Sequence, residues 1–371
     1  MQAQYVIQDP SGIFSPAMLF YKDIIDRNLA RIVSMAGGTT RLRPHVKTHK
    51  TREIARLELQ IGITKHKCAT LAEAEMLAQV NAPDVLVAYN MVGPNCARLA
   101  RLIHKYPATR FSVLADHAVG ARMLSDALTS AGTKVHVLID LDVGQHRTGM
   151  APGKEAVELY ASFAHLPGLI PDGLSVYDGH NHQEAPAERA MAVQKLLGPV
   201  LALRSTLESK GLPVPRIVAG GTPTFPVFAK LDIPGLECSP GTCVLHDHSY
   251  SRFADLADFM PAALLLTRVV SRPTPTRVTL DLGYKALASD PPAGKRCVLL
   301  NVPDYEPVLQ NEEHFVIETS AAAQFLPGDV VYAVPTHICP TCAVHKQAYV
   351  VENNRVIGTW DIAARDRTLT V

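Results

Sequence analysis

The sequence lacks any long apolar run. Of its 371 residues 47% are hydrophobic and 19% are charged, which is the composition of a globular chain and not of a disordered one. No segment approaches the roughly 20 consecutive apolar residues of a membrane helix. The opening MQAQYVIQDPSGIFSP has neither the basic start nor the apolar centre of a signal peptide. We therefore expect no membrane partner and a cytoplasmic location.

An excess of charge of either sign is also missing. Lysine and arginine total 36, aspartate and glutamate total 35, and the formal net charge is +1. A nucleic-acid-binding surface needs a clustered basic excess. The sequence therefore favours a small-molecule ligand over a nucleic-acid partner.

Paired cysteines are scarce. The seven cysteines are odd in number and scattered, at positions 68, 96, 238, 243, 297, 339 and 342. This pattern is not typical of a disulfide framework and indicates a reducing compartment. Cys339 and Cys342 form a C-x-x-C motif, but no second pair exists to complete a four-cysteine zinc site.

The chain has no Gly-x-Gly-x-x-Gly after its first predicted strand, which argues against a doubly wound dinucleotide-binding sheet. Amphipathic helical segments alternate with eight runs rich in β-branched residues, and this alternation favours a (β/α)8 TIM-type barrel over residues 13–254. The eight predicted strands are TRLRPHVK, ITKHKCAT, DVLVAY, RFSVLA, KVHVLIDLDVG, PDGLSVYDG, PRIVAGG and LECSPGTCVL.

The pattern changes after the barrel. From about residue 262 short strand-like runs are separated by turns, including ENNR, a hairpin signal, and no strong helix follows. We therefore predict a C-terminal all-β domain over residues 255–371, joined by roughly residues 1–12. The overall fold class is α/β, a TIM-type barrel plus an all-β domain.

A basic run, RLRPHVKTHK, lies in the first predicted strand. Strand periodicity directs Leu42, Pro44 and Val46 to one face and Arg43, His45 and Lys47 to the other. Lys47 then stands at the carboxyl end of the strand, where barrels of this kind carry their chemistry. Cationic neighbours favour a neutral amine, which can form a Schiff base with an aldehyde. The other interpretation is a solvated charge run.

Glycine-bearing loops follow predicted strands 7 and 8, at Gly220-Gly221-Thr222 and Gly241-Thr242. These are the positions where such barrels hold a phosphate through exposed backbone N–H groups. Each loop alone is equally consistent with a plain turn. Together with a Schiff-base lysine, they form what pyridoxal phosphate requires.

Two further groups could bind a metal or move protons. His337 and Cys339 stand two apart after a strand, so their side chains are expected on one face, where imidazole plus thiolate suits zinc. His-x-Cys alone is a weak signal, and Cys342 and His345 could be decoys. His180 and His182 follow predicted strand 6 as candidate general bases or metal ligands, or as a polar loop rim.

Eight motifs together resemble the D-threonine aldolase and D-serine dehydratase group of fold-type III pyridoxal phosphate enzymes, which are related to alanine racemase. They are RPHVKTHK, CATLAEAE, DLDVGQHRTG, GLSVYDGH, VAGGTPT, SPGTCVLHD, LDLGYK and PTHICPT, in the family's order over nearly the whole chain. The resemblance implies Lys47 as the Schiff-base lysine, with Arg147 and Tyr177 at the cofactor ring. It also implies phosphate loops at Gly221, Thr222, Gly241 and Thr242, and a metal pair of His337 and Cys339.

The resemblance also implies the reaction and its open points. A lyase acting on β-hydroxy D-amino acids is expected, of the D-threonine aldolase type that yields glycine and an aldehyde, with His180 as a candidate base. The alternative is D-serine or 3-hydroxyaspartate dehydration, because the aldolases carry His-x-Asp at the metal pair and the dehydratases His-x-Cys. Zinc is favoured on ligand softness, with manganese or magnesium as other choices. A metal-free racemase and a cofactor-storing protein are less favoured, and a homodimer is expected by analogy.

Overall fold

The computed structural model describes residues 3–371. Its first strand, β1 (Ala17–Tyr21), runs directly into helix α1 (Lys22–Ala36). The helix ends at Gly37, whose φ of 71° is left-handed and costs little without a Cβ. The chain then enters the barrel.

Seven parallel strands form one curled sheet in which every neighbour in sequence is also a neighbour in space. They are β2 (Lys65–Cys68), β3 (Asp84–Asn90), β4 (Arg110–Ala115), β5 (Val135–Leu141), β6 (Leu169–Val176), β7 (Ile217–Ala219) and β8 (Leu236–Cys238). The helices of this domain are α2 (Arg52–Gln60), α3 (Leu71–Gln79), α4 (Pro94–Lys105), α5 (Ala118–Ser130), α6 (Lys154–Phe163), α7 (Pro186–Ser209) and α8 (Phe225–Phe228).

The eighth member of the barrel is irregular. Residues 40–47, expected to be a regular strand, make only two isolated parallel bridges, Leu42 to Cys238 and His45 to Lys67. Pro44 has no N–H to donate, so its contribution to pairing is its carbonyl, which accepts from the Lys67 N–H at 2.8 Å. The expectation of a regular first strand is wrong, but the segment still joins the two edges of the sheet. The predicted fold class is confirmed.

The barrel interior is layered with a period of two residues. Toward the amino-terminal ends of the strands, fully buried Arg43 pairs with Glu237 at 2.5 Å and with Asp84 at 2.8 Å. Leu138 belongs to the apolar layer above, together with Leu86, Leu114 and Val218. One layer higher stand polar side chains such as Asp140. The barrel interior therefore has a charged layer at the amino-terminal ends of the strands, an apolar layer in the middle and a polar layer at the carboxyl ends, which we call the barrel mouth.

The second sheet has nine strands and includes β1, which pairs antiparallel with β9 and parallel with β15. Its other strands are β9 (Ala263–Thr274), β10 (Arg277–Leu280), β11 (Cys297–Leu299), β12 (Tyr305–Gln310), β13 (Phe315–Thr319), β14 (Val330–Pro335), β15 (Gln347–Glu352) and β16 (Arg355–Asp361). Because β1 belongs to this sheet, we propose that the barrel begins after Tyr21, and the boundary at residue 13 stays a prediction. The domain is mostly β, with one helix that the sequence did not predict, α9 (Ile338–Val344), after β14.

Residues 363–371, the C-terminal strap, return to the barrel. The Ala364 N–H donates to the Lys50 carbonyl at 3.1 Å, and the Thr370 N–H donates to buried Glu75 at 2.9 Å. The Arg98 guanidinium holds the Val371 carbonyl at 3.0 Å. Across residues 3–371, none of the helices has the length and apolarity required to cross a bilayer.

Candidate active site

Two adjoining cavities open at the carboxyl ends of the barrel strands, each of about 510 Å³. Lys47, Lys67 and Tyr177 line both of them, with His45 and Ala69. We call the first the ring cavity; its lining also includes Arg147. We call the second the loop cavity; its lining also includes the two glycine loops, His337 and Cys339. The structure thus brings nearly all the predicted site residues to one place.

Three cations surround the ring of Tyr177. Its centroid lies 5.5 Å from Lys47 Nζ, 5.7 Å from Lys67 Nζ and 4.9 Å from Arg147 Cζ. The ring fits because glycines flank it: a Cβ on Gly179 would lie 2.5 Å from the ring, and one on Gly221 would lie 3.2 Å from Cε2. A positive pocket with a flat aromatic wall results, which suits a planar anion.

The two glycine loops are joined through one hydroxyl. Thr222 Oγ1 accepts from the N–H groups of Gly241 at 3.2 Å and Thr242 at 2.9 Å. A Cβ on Gly241 would lie 3.4 Å from His45 and from Thr48, so the loop backbone approaches the site closely. The buried hydroxyl of Ser239 lies in the same cavity and has no hydrogen-bond partner within the described residues. The free hydroxyl of Ser239, beside glycine backbone that approaches the cavity closely, fits a phosphate group.

Asp178, in the motif GLSVYDGH, has a structural role. It is buried, and its carboxylate accepts from Thr224 Oγ1 at 2.9 Å and from Asn181 at 3.2 Å. Burial raises the pKa of Asp178. Because Thr224 opens α8 after the first glycine loop, Asp178 holds that loop against the end of β6.

His337 and Cys339 meet above the barrel mouth, but not by strand alternation as predicted. His337 is the residue before α9 and Cys339 lies in the helix's first turn. Cys339 Sγ lies 3.2 Å from Thr48 Oγ1 and 3.6 Å from Thr242 Oγ1, so the pair touches the barrel loops.

Electrostatics couple the two side chains. Burial tends to raise the Cys339 pKa, but its hydrogen bond with His337 and the imidazolium charge lower it overall. Burial tends to lower the His337 pKa, but Cys339 and then Asp290 raise it to about 9. Asp290 contacts His337 Nδ1 at 2.6 Å, which directs the other ring nitrogen toward Cys339.

This donor set fits a divalent metal in an open site. Imidazole and thiolate suit zinc, and a carboxylate behind the imidazole is the usual orienting partner. Within residues 3–371 no cluster of three or more His, Cys, Asp or Glu side chains could hold a metal, so the remaining positions would belong to water or substrate. Cys342 is fully buried and His345 Nε2 contacts the Ala286 carbonyl at 2.7 Å, so neither joins the pair.

The two histidines after β6, His180 and His182, differ in whether they line a cavity. Both side chains are exposed. His180 lies over Gly144, where a Cβ would be 3.1 Å from Nε2, and it lines neither cavity. His182 lines the loop cavity. Burial and then the charge of Arg252 lower the His182 pKa. Its position therefore favours His182 over His180 as a base.

Three residues at the site escaped sequence reasoning. Lys67 lies inside the predicted strand ITKHKCAT, which was expected to continue to Thr70, whereas the observed strand β2 ends at Cys68. With that earlier end, the strand-end argument applied to Lys47 would have found Lys67. Thr48 follows Lys47 directly, yet nothing in its residue type indicates a contact with Cys339. Asp290 is 47 positions from His337 in a loop, and no sequence signal joins them.

Comparison with known proteins identifies the family to which the two domains belong. Residues 22–244 match the family described as "Alanine racemase, N-terminal domain", and residues 262–351 match the "Putative serine dehydratase domain". The chain is therefore a fold-type III pyridoxal-phosphate-dependent enzyme.

Individual relatives define the family more closely. The chain is 30% identical to D-threonine aldolase of Arthrobacter over 87% of its length and 85% of the relative's. It is 28% identical to 3-hydroxy-D-aspartate aldolase of Paracoccus denitrificans over 97% and 94%. The crystal structure of D-threonine aldolase from Filomicrobium marinum superposes with a TM-score of 0.88 at 28% identity, covering 95% and 96%. The chain belongs to the D-threonine aldolase and D-serine dehydratase family, and it is a lyase.

Proposed function

We propose that the protein cleaves β-hydroxy D-amino acids by an aldolase reaction, using pyridoxal phosphate and a divalent metal. The observation that carries this proposal is a single cavity lined by Lys47, both glycine loops and the His337–Cys339 pair. The D-threonine and hydroxyaspartate aldolases among the relatives support the same substrate class.

Residues of the barrel mouth would hold the cofactor. Pyridoxal phosphate, when bound, withdraws electrons from the bonds at the substrate's Cα. Lys47 is the amine that would bond to its aldehyde carbon. Arg147 and Tyr177 would bind the ring. The loops at Gly221, Thr222, Gly241 and Thr242 would bind the phosphate.

The second requirement is a polarised β-hydroxyl group. A divalent metal on His337 and Cys339, with zinc favoured, would supply Lewis-acid polarisation of that hydroxyl. His182 is the proposed proton acceptor in place of His180. Because its pKa is lowered, its imidazole is neutral at neutral pH and can accept the hydroxyl proton as Cα–Cβ cleavage proceeds.

A dehydratase is the second candidate, and Cys339 is the observation that favours it. A thiolate in place of a carboxylate is the ligand found in the dehydratase branch. D-threo-3-hydroxyaspartate dehydratase of Delftia matches at 25% identity and D-serine dehydratase of Dictyostelium discoideum at 22%. In that reaction the β-hydroxyl leaves, and the products are a 2-oxo acid and ammonia.

Product analysis tests the proposal. The purified protein is incubated with pyridoxal phosphate and either D-threonine, D-serine or D-3-hydroxyaspartate, in zinc, manganese or a chelator. Glycine and an aldehyde, lost in chelator, are expected. A 2-oxo acid with ammonia would identify the dehydratase instead, and absence of both product pairs would refute a lyase of this substrate class. The homodimer and the cytoplasmic location stay predictions, the former to be checked by light scattering.

A further inference from the structure

Lys67 is a second buried amine at the barrel mouth. Its side chain is 3% exposed and lines both cavities. Within residues 3–371 its Nζ makes no hydrogen bond or ion pair, whereas Lys50 pairs with Glu73 and Lys65 pairs with Glu237. An unpaired buried ammonium is costly, so its retention needs a compensating anion.

The backbone holds Lys67 against the strand segment that carries Lys47. The Lys67 N–H donates to the Pro44 carbonyl at 2.8 Å, and its carbonyl accepts from the Val46 N–H at 2.9 Å. Both lysine Nζ atoms lie at nearly equal distances from the Tyr177 ring, 5.5 Å and 5.7 Å. The backbone therefore places the Lys67 amine at about the same distance from the Tyr177 ring as the Lys47 amine.

Charge at this point is out of balance. Lys47, Lys67 and Arg147 converge on one ring. Two carboxylates act on Lys67, Asp140 and Asp178, and both already have partners. Asp140 accepts from Thr148 at 2.9 Å and Ser175 at 3.2 Å, and Asp178 accepts from Thr224 at 2.9 Å and Asn181 at 3.2 Å. A ligand with more than one negative charge would restore the balance.

We propose that Lys67 is a cofactor-binding residue that supplies positive charge to the anionic ring and phosphate of pyridoxal phosphate beside Lys47. The inference rests on the proposed function, since it names that cofactor as the anion.

The same surroundings set the pKa of Lys67. Burial, and next the charge of Lys47, lower the Lys67 pKa to about 8. An anion bound beside the ammonium favours its charged form, so binding takes up a proton near that pH. Affinity should fall as the pH rises above about 8. The charged or titratable groups facing Lys67 are Lys47 and His45 on the neighbouring segment, Asp140 on β5, Arg43 below, and Asp178, Tyr177 and Arg147 at the mouth.

The test measures binding of pyridoxine 5′-phosphate, which has no aldehyde and so cannot bond to Lys47. Dissociation constants are measured by fluorescence between pH 6.5 and pH 9.5 for the wild type, Lys67→Met, Lys67→Arg and the control Lys65→Met. We expect roughly tenfold weaker binding at pH 7 for Lys67→Met, and partial recovery with Lys67→Arg. The control lies on the same strand and pairs with Glu237, so its affinity should match the wild type. The wild type should lose affinity more steeply above pH 8 than Lys67→Met.

Binding within twofold of the wild type by Lys67→Met, with the same pH dependence, overturns the inference. Circular dichroism checks that this variant is folded. If it is not, the pH dependence of binding by Lys67→Arg is compared with that of the wild type, and an equal loss of affinity above pH 8 in both overturns the inference. Inorganic phosphate as a second ligand separates a charge effect on the phosphate alone from one on the ring. A wild type that binds neither pyridoxine 5′-phosphate nor pyridoxal phosphate would instead refute the proposed function.

Discussion

At the scale of single residues, the site is built from strand ends. Alternation along RLRPHVKTHK predicted that Arg43, His45 and Lys47 share one face and that Lys47 stands at the carboxyl end. In the structure Lys47 lines the mouth and Arg43 is buried with Glu237, even though the segment is not a regular strand. The glycine positions were predicted from their place in the chain. What sequence could not give is which histidine after β6 faces inward, because that depends on a loop path and not on a period.

The two histidines can be separated by substitution. His182→Gln should lower kcat/KM for D-threonine by roughly 10²- to 10⁴-fold, the usual loss of a general base. His180→Gln should leave it within about threefold, because His180 lines neither cavity. The acid limb of the pH–rate profile should lie below the ordinary histidine range, since the His182 pKa is lowered. Equal losses in the two variants would refute the assignment of His182.

The thiolate of Cys339 should determine which divalent metal the site prefers. Cys339→Asp replaces a soft ligand with a hard one, so the preference should move from zinc toward manganese. Activity of each apoprotein reconstituted with each metal measures this, with Cys342→Ser as the control cysteine. An unchanged order of metals in Cys339→Asp would argue against Cys339 as a ligand.

At the scale of elements, the departures from prediction have identifiable causes. Pro44 interrupts the ladder that would have made residues 40–47 a regular strand. The apolar run of β1 lies beside barrel-like sequence, yet its partners are β9 and β15, which follow it by more than 240 residues. Such long-range pairing has no local signal. Local turn chemistry, by contrast, was read correctly: Asn353 and Asn354 have φ of 50° and 62° and connect β15 to β16.

The C-terminal strap depends on a buried carboxylate. Glu75→Ala removes the acceptor for the Thr370 N–H and the ion pair of Lys105 at 3.2 Å. We expect the unfolding free energy to fall by about 1–3 kcal/mol and carboxypeptidase to release the last residues faster. Glu155→Ala, at an exposed position of α6, is the control. Equal rates of release from the two variants would mean that the strap is held elsewhere.

At the scale of the whole molecule, buried histidines make the fold sensitive to acid. His49 is fully buried with an unpaired Nε2, and burial lowers its pKa to about 4. Burial likewise lowers the pKa of His246 to about 4. The folded state therefore binds a proton more weakly than the unfolded chain at each position. This stability is fully present above about pH 6.5 and is lost as the pH falls toward 4.

Denaturant unfolding at several pH values measures this loss. His49 alone should contribute a decrease of about 2 kcal/mol between pH 7 and pH 5. His49→Gln should flatten the slope of stability against pH, whatever its effect at pH 7, and His314→Gln at an exposed position should not. An unchanged slope in His49→Gln would contradict the argument from burial.

Fold class and family were predictable because periodicity and ordered motifs extend over nearly the whole chain. The contacts between the β domain and the barrel mouth, such as Thr48 with Cys339, were not predictable, since they join distant segments through packing alone.

The central claim is that the barrel mouth binds pyridoxal phosphate through Lys47. The most direct measurement is reduction of the cofactor-loaded protein with borohydride, followed by peptide mapping by mass spectrometry. The account predicts a single pyridoxyl adduct on Lys47, absent from Lys47→Ala. An adduct on Lys67 in the wild type, or no adduct on any lysine of the barrel mouth, would contradict it.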